Sequence, residues 1–340
     1  LTSKTKKQHY VPQFYLRKFE IEDNHGKIYA FDKKESISRQ QAINNVASEN
    51  YFYDHDLNKI FNASDGEKKE ELNKLIENNK DDIELIQQQY MEKWLSKVEA
   101  NMAPILESIT RKAKKAKENQ WYFKNCYCMS DSEKTTISHY VAIQFSRTKR
   151  IRETLSRALS DSIHAIGSKF FGIDGLSLDL DKESEKLHHE NVLLNKETLV
   201  EIAQLVSNHI WIIYINETKI PFWTSDVAIS LNAMKGSKGI AAEGVEILFP
   251  LGPKIMLAMY EKTSLIEEIG KEKHEQNGIE FLDRRYIILA NEEQVKLMNL
   301  HQLYDCSRFV FSNEDSFEFA KANIASYPDF KNSISKISIS

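Results

Sequence analysis

The chain has 340 residues and a mass of 39.5 kDa, more than one typical domain needs and fewer than three would use. Charged residues make up 28% and hydrophobic ones 41%, which excludes a disordered chain, a collagen and a coiled-coil rod. Lys and Arg number 46 against 50 Asp and Glu, so the net charge of −4 names no partner by itself. The longest apolar run, His209–Ile215, has only strand length, far below the ~20 residues of a membrane helix. The opening Leu1-Thr2-Ser3-Lys4 lacks the apolar core of a signal peptide, and three cysteines make no disulfide framework. These features predict a cytoplasmic protein with no membrane partner.

Residues 1–60 read as short strands and loops. Pro12 is placed to open a short helix through Phe19, and Lys27–Phe31 follows the turn Asn24-His25-Gly26 as a strand. Asp65–Asp82 is polar and reads as an exposed helix or loop. Ile83, Ile86, Tyr90, Trp94, Val98, Met102, Ile105 and Ile109 recur at spacings of three and four. They predict one long helix, which Pro104 should kink or break. Ser130-Asp131-Ser132-Glu133 fits a capping box and opens a second long helix with the stripe Ile137, Val141, Gln144, Thr148, Ile151, Leu155. Residues 172–192 are acidic and read as a loop, and a third helix is expected over 195–208.

The last third changes to strands. His209–Ile215 and Ile220–Thr224, separated by Asn216-Glu217-Thr218-Lys219, predict a hairpin. Val245–Pro250 and Lys254–Tyr260 predict another around Gly252-Pro253. Arg285–Ala290 and Arg308–Ser312 are further strands, flanking a helix capped by Asn291-Glu292-Glu293-Gln294 and running to about Leu303. The expected fold class is α+β, a helical middle layer on a mainly antiparallel sheet built from C-terminal hairpins plus an N-terminal strand. Its regions are 1–60, 61–208 and 209–340, forming one compact unit or two tightly packed lobes.

Lys7-Gln8-His9-Tyr10-Val11-Pro12-Gln13-Phe14-Tyr15-Leu16-Arg17-Lys18-Phe19 resembles the opening signature of a bacterial family, domain of unknown function 4238. Ala47–Tyr53, Val98-Glu99, Gln144-Phe145-Ser146-Arg147, Phe222–Asp226, Phe249-Pro250-Leu251 and Asn299 with Phe309–Ser312 continue the resemblance in order. One departure is Val227-Ala228, where the family usually has Asn-Pro. The resemblance implies a bacterial cytosolic protein and no settled activity.

Three segments concentrate positive charge: Lys4, Lys6 and Lys7; Arg111–Lys117, with five basic residues in seven; and Arg147, Lys149, Arg150 and Arg152. Converging, they would hold phosphates; apart, they are solvated faces. His9 can act as a general base or metal ligand, or can pin the N-terminus through a carbonyl. Asp226, ending an apolar strand, can hold a metal or close an Asx turn. Arg147 can clamp a phosphate or pair with Glu99 on the other long helix, and Gln144 on the apolar stripe needs a partner. Glu246 follows Asp226 at a spacing loosely like a restriction-type nuclease core, without the lysine expected beside it. Asp54-His55-Asp56, His188-His189, and Cys126 and Cys128 with Cys306 lack matched ligand spacing. Nucleotide-binding glycine loops and a Gly-x-Ser-x-Gly elbow are absent, so no nucleotide cofactor is expected.

Two readings follow. One is an enzyme acting on nucleic acid, a metal-dependent nuclease or toxin-like effector using Mg or Mn. Its catalytic residues would be His9, Arg147 and Asp226, with Lys7, Gln144 and Arg150 on substrate and Asp226, Glu246 and Glu99 on the metal. The other is a non-catalytic binding or scaffold protein, with a protein partner or a second copy, whose polar residues form a buried network.

Overall fold

The structure, a computed structural model, describes residues 6–54, 90–118, 128–166, 182–233, 239–262, 283 and 286–331. The stretch Asp65–Asp82 and the helix positions Ile83 and Ile86 lie outside the described residues. Chain order begins with β1 (Lys7–His9), α1 (Gln13–Leu16), which tightens into a 3-10 turn over Arg17–Phe19, β2 (Lys27–Asp32), β3 (Ile37–Ala42) and β4 (Ser48–Asn50). Helices α2 (Tyr90–Glu118), α3 (Asp131–Ser146), α4 (Lys149–Ile166), α5 (Lys182–Leu194) and α6 (Lys196–Asn208) follow. Then come β5 (Ile210–Asn216), β6 (Thr224–Ser225), β7 (Ser230–Ala233), β8 (Val245–Gly252), β9 (Ile255–Tyr260), β10 (Tyr286–Ala290), α7 (Glu292–Asp305), β11 (Phe309–Ser312) and α8 (Glu318–Ser326). The fold is α+β.

The strands form two main sheets. One has the order β10-β5-β9-β8-β7, antiparallel except for the parallel pair β10–β5; the other is antiparallel, with the order β3-β2-β11-β6. A third ribbon pairs β1 with β4. β5 is apolar at nearly every position because both of its faces are covered. Trp211, Ile213 and Ile215 join the helices in the largest core cluster. Ile210, Ile212 and Tyr214 face Val295 and Met298 of α7 on the other side. Further along α7, Leu303 packs with Phe31, Trp223, Val310 and Phe317 of the four-stranded side. Helix α7 therefore lies between the two sheets.

Local chemistry accounts for most boundaries. Ser130 and Glu133 close their capping box reciprocally, and Asn291 and Gln294 do the same for α7. The β8–β9 hairpin forms, with a bulge at Pro250/Gly252. Five expectations are corrected. Pro104 does not interrupt α2, because it and Ala100, whose carbonyl loses its helical donor, both face solvent. The apolar line of α2 is also rotated, running through Met91, Leu95, Met102, Leu106, Ile109, Ala113 and Ala116. The helix beginning at Asp131 stops at Ser146, and a new one starts at Lys149, where Thr148 Oγ1 accepts from the Ile151 N–H at 3.4 Å. Of the expected loop at 172–192, the part from Lys182 onward is helical, and 172–181 lies outside the described residues.

The fifth correction concerns β5. It does not pair with Ile220–Thr224. Asn216 does make the turn, accepting from Thr218 N–H and donating to the Ile220 carbonyl, but the chain then crosses to the other sheet. β9 and β10 occupy both edges of β5 instead.

At the β2–β3 turn Ser36 has a φ of 57°, and its buried hydroxyl has no partner among the described residues. Glycine relieves both costs against its own chain-entropy penalty. Ser36→Gly is expected to raise stability by up to about 1 kcal/mol in urea unfolding; a clear loss of stability would contradict this reading of the turn.

Candidate functional site

The break between α3 and α4 carries three buried guanidiniums. Arg147, 2% exposed, donates to Glu99 Oε1 at 2.8 Å, to the His9 carbonyl at 2.5 Å and to Tyr53 Oη at 3.3 Å. Arg150 pairs with Asp305 at 3.3 Å and donates to the Asp305 carbonyl. Arg152 lies 3.5 Å from the centre of the Phe52 ring, donates to the Phe52 carbonyl and reaches His189 Nδ1. The basic segment Arg147–Arg152 is thus largely core. Arg111, Lys114 and Lys115 of α2 line a separate open groove together with Lys18, and Lys7 is exposed and bonded to Asn45. Neither Lys7 nor the segment Arg147–Arg152 lines that groove.

The remaining candidates divide as follows. Gln144 donates to the Tyr10 carbonyl at 3.0 Å. His9 is buried and bonds the Ile43 backbone, while its Nε2 has no partner among the described residues; burial holds its pKa down at about 4. Asp226, 2% exposed, accepts from the backbone N–H groups of Ser307, Arg308 and Phe309 at 2.8–2.9 Å. Burial raises its pKa, and those three donors pull the other way. The adjacent turn is closed by Ser225 Oγ, not by Asp226. Ala228 in that turn has a φ of 61°, which a proline could not adopt, so Val227-Ala228 shapes a turn of its own. Glu246 sits on β8 and accepts from Asn232 at 2.8 Å, whereas Glu99 pairs with Arg147. Asp226, Glu246 and Glu99 are not brought together, and no group of three His, Cys, Asp or Glu has metal-holding geometry among the described residues.

Asp226 also borders a cleft of about 570 Å³ that spacing could not reveal. Its walls come from Tyr10, the β2–β3 hairpin, Asn45–Glu49, the first turn of α4 and Ser307–Phe309. Five acids (Asp32, Glu35, Glu49, Glu153, Asp226) and five bases (Lys34, Arg39, Lys149, Arg308, Lys331) line it. Lys149 bridges to Glu49 at 2.5 Å, and Arg308 binds Asp32. Burial would push Asp32 up, but its bonds from Arg308 and from the Glu35 and Lys34 N–H groups hold it below the usual carboxylate range. Glu153 is raised, first by burial and then by Glu49 and Asp226. Its carboxylate has no hydrogen-bond partner among the described residues.

Sequence reasoning also missed a polar stripe on α7. Asn299 accepts from Trp223 N–H and donates to the Pro221 carbonyl; Gln302 bonds Ser225, Ala228 and Ser230; Asp305 accepts from Leu231 N–H. The spacing of three was the available signal. His189, read as a loop residue, is buried on α5, accepting from Arg152 and donating through Nε2 to the Ser146 carbonyl at 2.7 Å. The Cys306 thiol is buried and raised by that burial. His55, Asp56 and Cys126 lie outside the described residues.

Two predictions follow from the buried network. Arg147→Met is expected to destabilise by about 3–5 kcal/mol, since it leaves Glu99 and a buried carbonyl without a partner. Arg147→Lys should recover part of this because one ammonium cannot span the same acceptors. A loss below about 1 kcal/mol for the Met variant would contradict the role. The second concerns pH. Burial holds His9 at about 4 and His189 at about 3, both below the unfolded value near 6.5. As pH falls below 6.5 the unfolded chain takes up histidine protons that the folded chain refuses, so these two histidines withdraw stability from pH 6.5 toward pH 4, against an opposite contribution from Glu92, which burial raises to about 7. His189→Gln, which keeps a donor and an acceptor, should flatten that slope in urea midpoints measured across this range.

No curated protein and no solved structure matches the chain. No helix among the described residues is long and apolar enough to cross a membrane. A family model described as a protein of unknown function (DUF4238) matches residues 7–316, and it covers the signature at Lys7–Phe19, the Gln144–Arg147 and Phe222–Asp226 segments and the whole cleft except Lys331. The chain belongs to that family, DUF4238.

Proposed function

We propose that this chain is a binding protein that works through the charged cleft, with the polar residues of the signature segments as its frame. One observation carries this reading. His9, Glu99, Arg147, Gln144 and Asp226 each hold an internal hydrogen-bond partner, whereas the Glu153 carboxylate, beside Lys149 and Arg157, and the Lys34 ammonium border the cleft without a side-chain hydrogen bond among the described residues. Groups satisfied inside the protein hold a shape, and unsatisfied groups on a concave surface are free to meet a ligand. Both signs of charge line the cleft, which suits a polar ligand carrying opposite charges better than a simple polyanion.

A nuclease using Mg or Mn is the second reading. What favours it is the approach of Glu49, Glu153 and Asp226 to Lys149, carboxylates beside a lysine of the kind that metal-assisted phosphodiester cleavage employs. Any nucleic acid would enter along Arg308, Arg39 and Lys34.

One experiment separates the two. The protein and its Glu153→Gln variant are incubated with plasmid DNA, single-stranded DNA and total RNA, each with magnesium or manganese. Glu153 is the better probe because replacing Asp226 would strand three backbone N–H groups. The binding reading expects no metal-dependent cleavage from either protein. Cleavage by the native chain that vanishes in a variant with an unchanged circular dichroism spectrum would overturn it in favour of the nuclease.

A further inference from the structure

At the inner end of the cleft, Tyr10 is 8% exposed, with its ring against Phe52 at 5.1 Å between centroids. Its backbone is fixed by Ala47 and by Gln144, but its hydroxyl has no hydrogen-bond partner among the described residues. The ring is buried, but its hydroxyl opens onto the cleft and is not sealed in the core as the unpartnered Tyr140 hydroxyl is. Tyr10 lines the cleft, and the carboxylates of Asp226, Glu49 and Glu153 surround it closely enough to disfavour its ionisation, after burial itself. Lys149, bound to Glu49, feels the same three acids.

What sets this end of the cleft apart is unfilled acceptors and not net charge, because Arg152 and Arg157 face Glu153, and Lys33 faces Asp226, besides Lys149. Asp226 has both oxygens filled by backbone donors, and Glu49 already holds Lys149. What remains to meet a ligand is the Tyr10 hydroxyl, the Glu153 carboxylate and the second Glu49 oxygen. An organic cation needs a few acceptors around its N–H groups and an aromatic wall, and these are present.

We infer that Tyr10, Glu49 and Glu153 form a subsite for a primary ammonium or guanidinium group, held by charge-assisted hydrogen bonds at the inner end of the cleft. This rests on the cleft being the working site. The positive groups Arg308 and Lys34 nearer the hairpin then suit an anionic group on the same ligand. The cation can come from a small free amine or from a lysine or arginine side chain of a peptide; the subsite chemistry is shared.

The test is amide-resolved NMR titration of the full chain with cadaverine, with Nα-acetyl-lysine methylamide, with the neutral analogue pentanol, and separately with inorganic phosphate. Either cationic probe should shift the amides of Glu49, Lys149 and Glu153, and pentanol should not. Stronger shifts with cadaverine identify a free amine as the source, and stronger shifts with the acetyl-lysine amide identify a peptide side chain. Glu153→Gln and Tyr10→Phe should each weaken the cation by about tenfold or more, consistent with loss of a charge-assisted bond. Tyr10→Phe keeps the ring on Phe52, so the native amide pattern in the unliganded variant verifies its fold. Equal affinity in Glu153→Gln, or equal shifts from pentanol, overturns the inference. Phosphate shifting Lys34 and Arg308 while neither cation shifts Glu153 overturns the subsite but keeps the cleft as a binding site. No shift of cleft amides with any probe overturns both.

Discussion

Three guanidiniums buried within six residues of one helix break constrain the rest of this molecule. Removing an arginine from water costs several kcal/mol unless its charge and donors are met, so each must be reached by an acceptor from elsewhere in the chain. Arg147 draws in α2 through Glu99 and the N-terminal ribbon through the His9 carbonyl. Arg150 draws in α7 through Asp305, which in turn holds the start of β7 at Leu231. Arg152 draws in Phe52 and, through His189, α5. Segments separated by as many as 155 positions therefore converge on one turn. The break itself serves this convergence, because a continuous helix through Thr148 would rotate later arginines away from their present acceptors.

The same constraint explains why residues that look like chemistry in the sequence have hydrogen-bond partners inside the fold. A histidine, an arginine, a glutamine and two acids recurring in matched segments fit an active site and fit equally a network of internal partners. Residue type does not separate these cases; the position of the acceptor does. Asp226 shows the point most plainly. At a strand end it reads as a ligand or as an Asx-turn former, yet it serves a segment more than eighty residues away by gathering three consecutive N–H groups at the start of β11. That arrangement orders Ser307–Phe309, and with it Arg308 at the cleft.

Elements governed by neighbours in sequence were legible. The capping boxes at Ser130 and Asn291, the β8–β9 hairpin and the helix over 196–208 each rest on contacts within a few residues. Features decided at long range were not. The turn at Asn216 was visible, but whether the chain doubled back or crossed to another sheet depended on β9 and β10 competing for the edges of β5. The cleft was illegible for the same reason. Positions 10, 49, 153 and 226 share no motif, and only the fold makes them neighbours. Segments 6–54, 149–153 and 226–309 each carry part of it.

Backbone strain points to the same place. Among the described residues the non-glycine positions with positive φ are Ser36, Ala47, Tyr51 and Ala228. Ala47 lines the cleft, Ser36 lies between its lining residues Glu35 and Ile37, Tyr51 follows Glu49 by two positions, and Ala228 follows Asp226 by two. Such conformations cost of order 1–3 kcal/mol each and persist where surrounding structure dictates them. A fold selected only for packing has little reason to collect four of them around one concave, charged surface. The core of this protein is instead regular, with apolar strands and helices that meet in ordinary clusters. The buried arginines and the Asp226 cap hold the irregular loops against that core. Rigidity on one side and strain on the other is the arrangement expected of a surface shaped for something outside the chain.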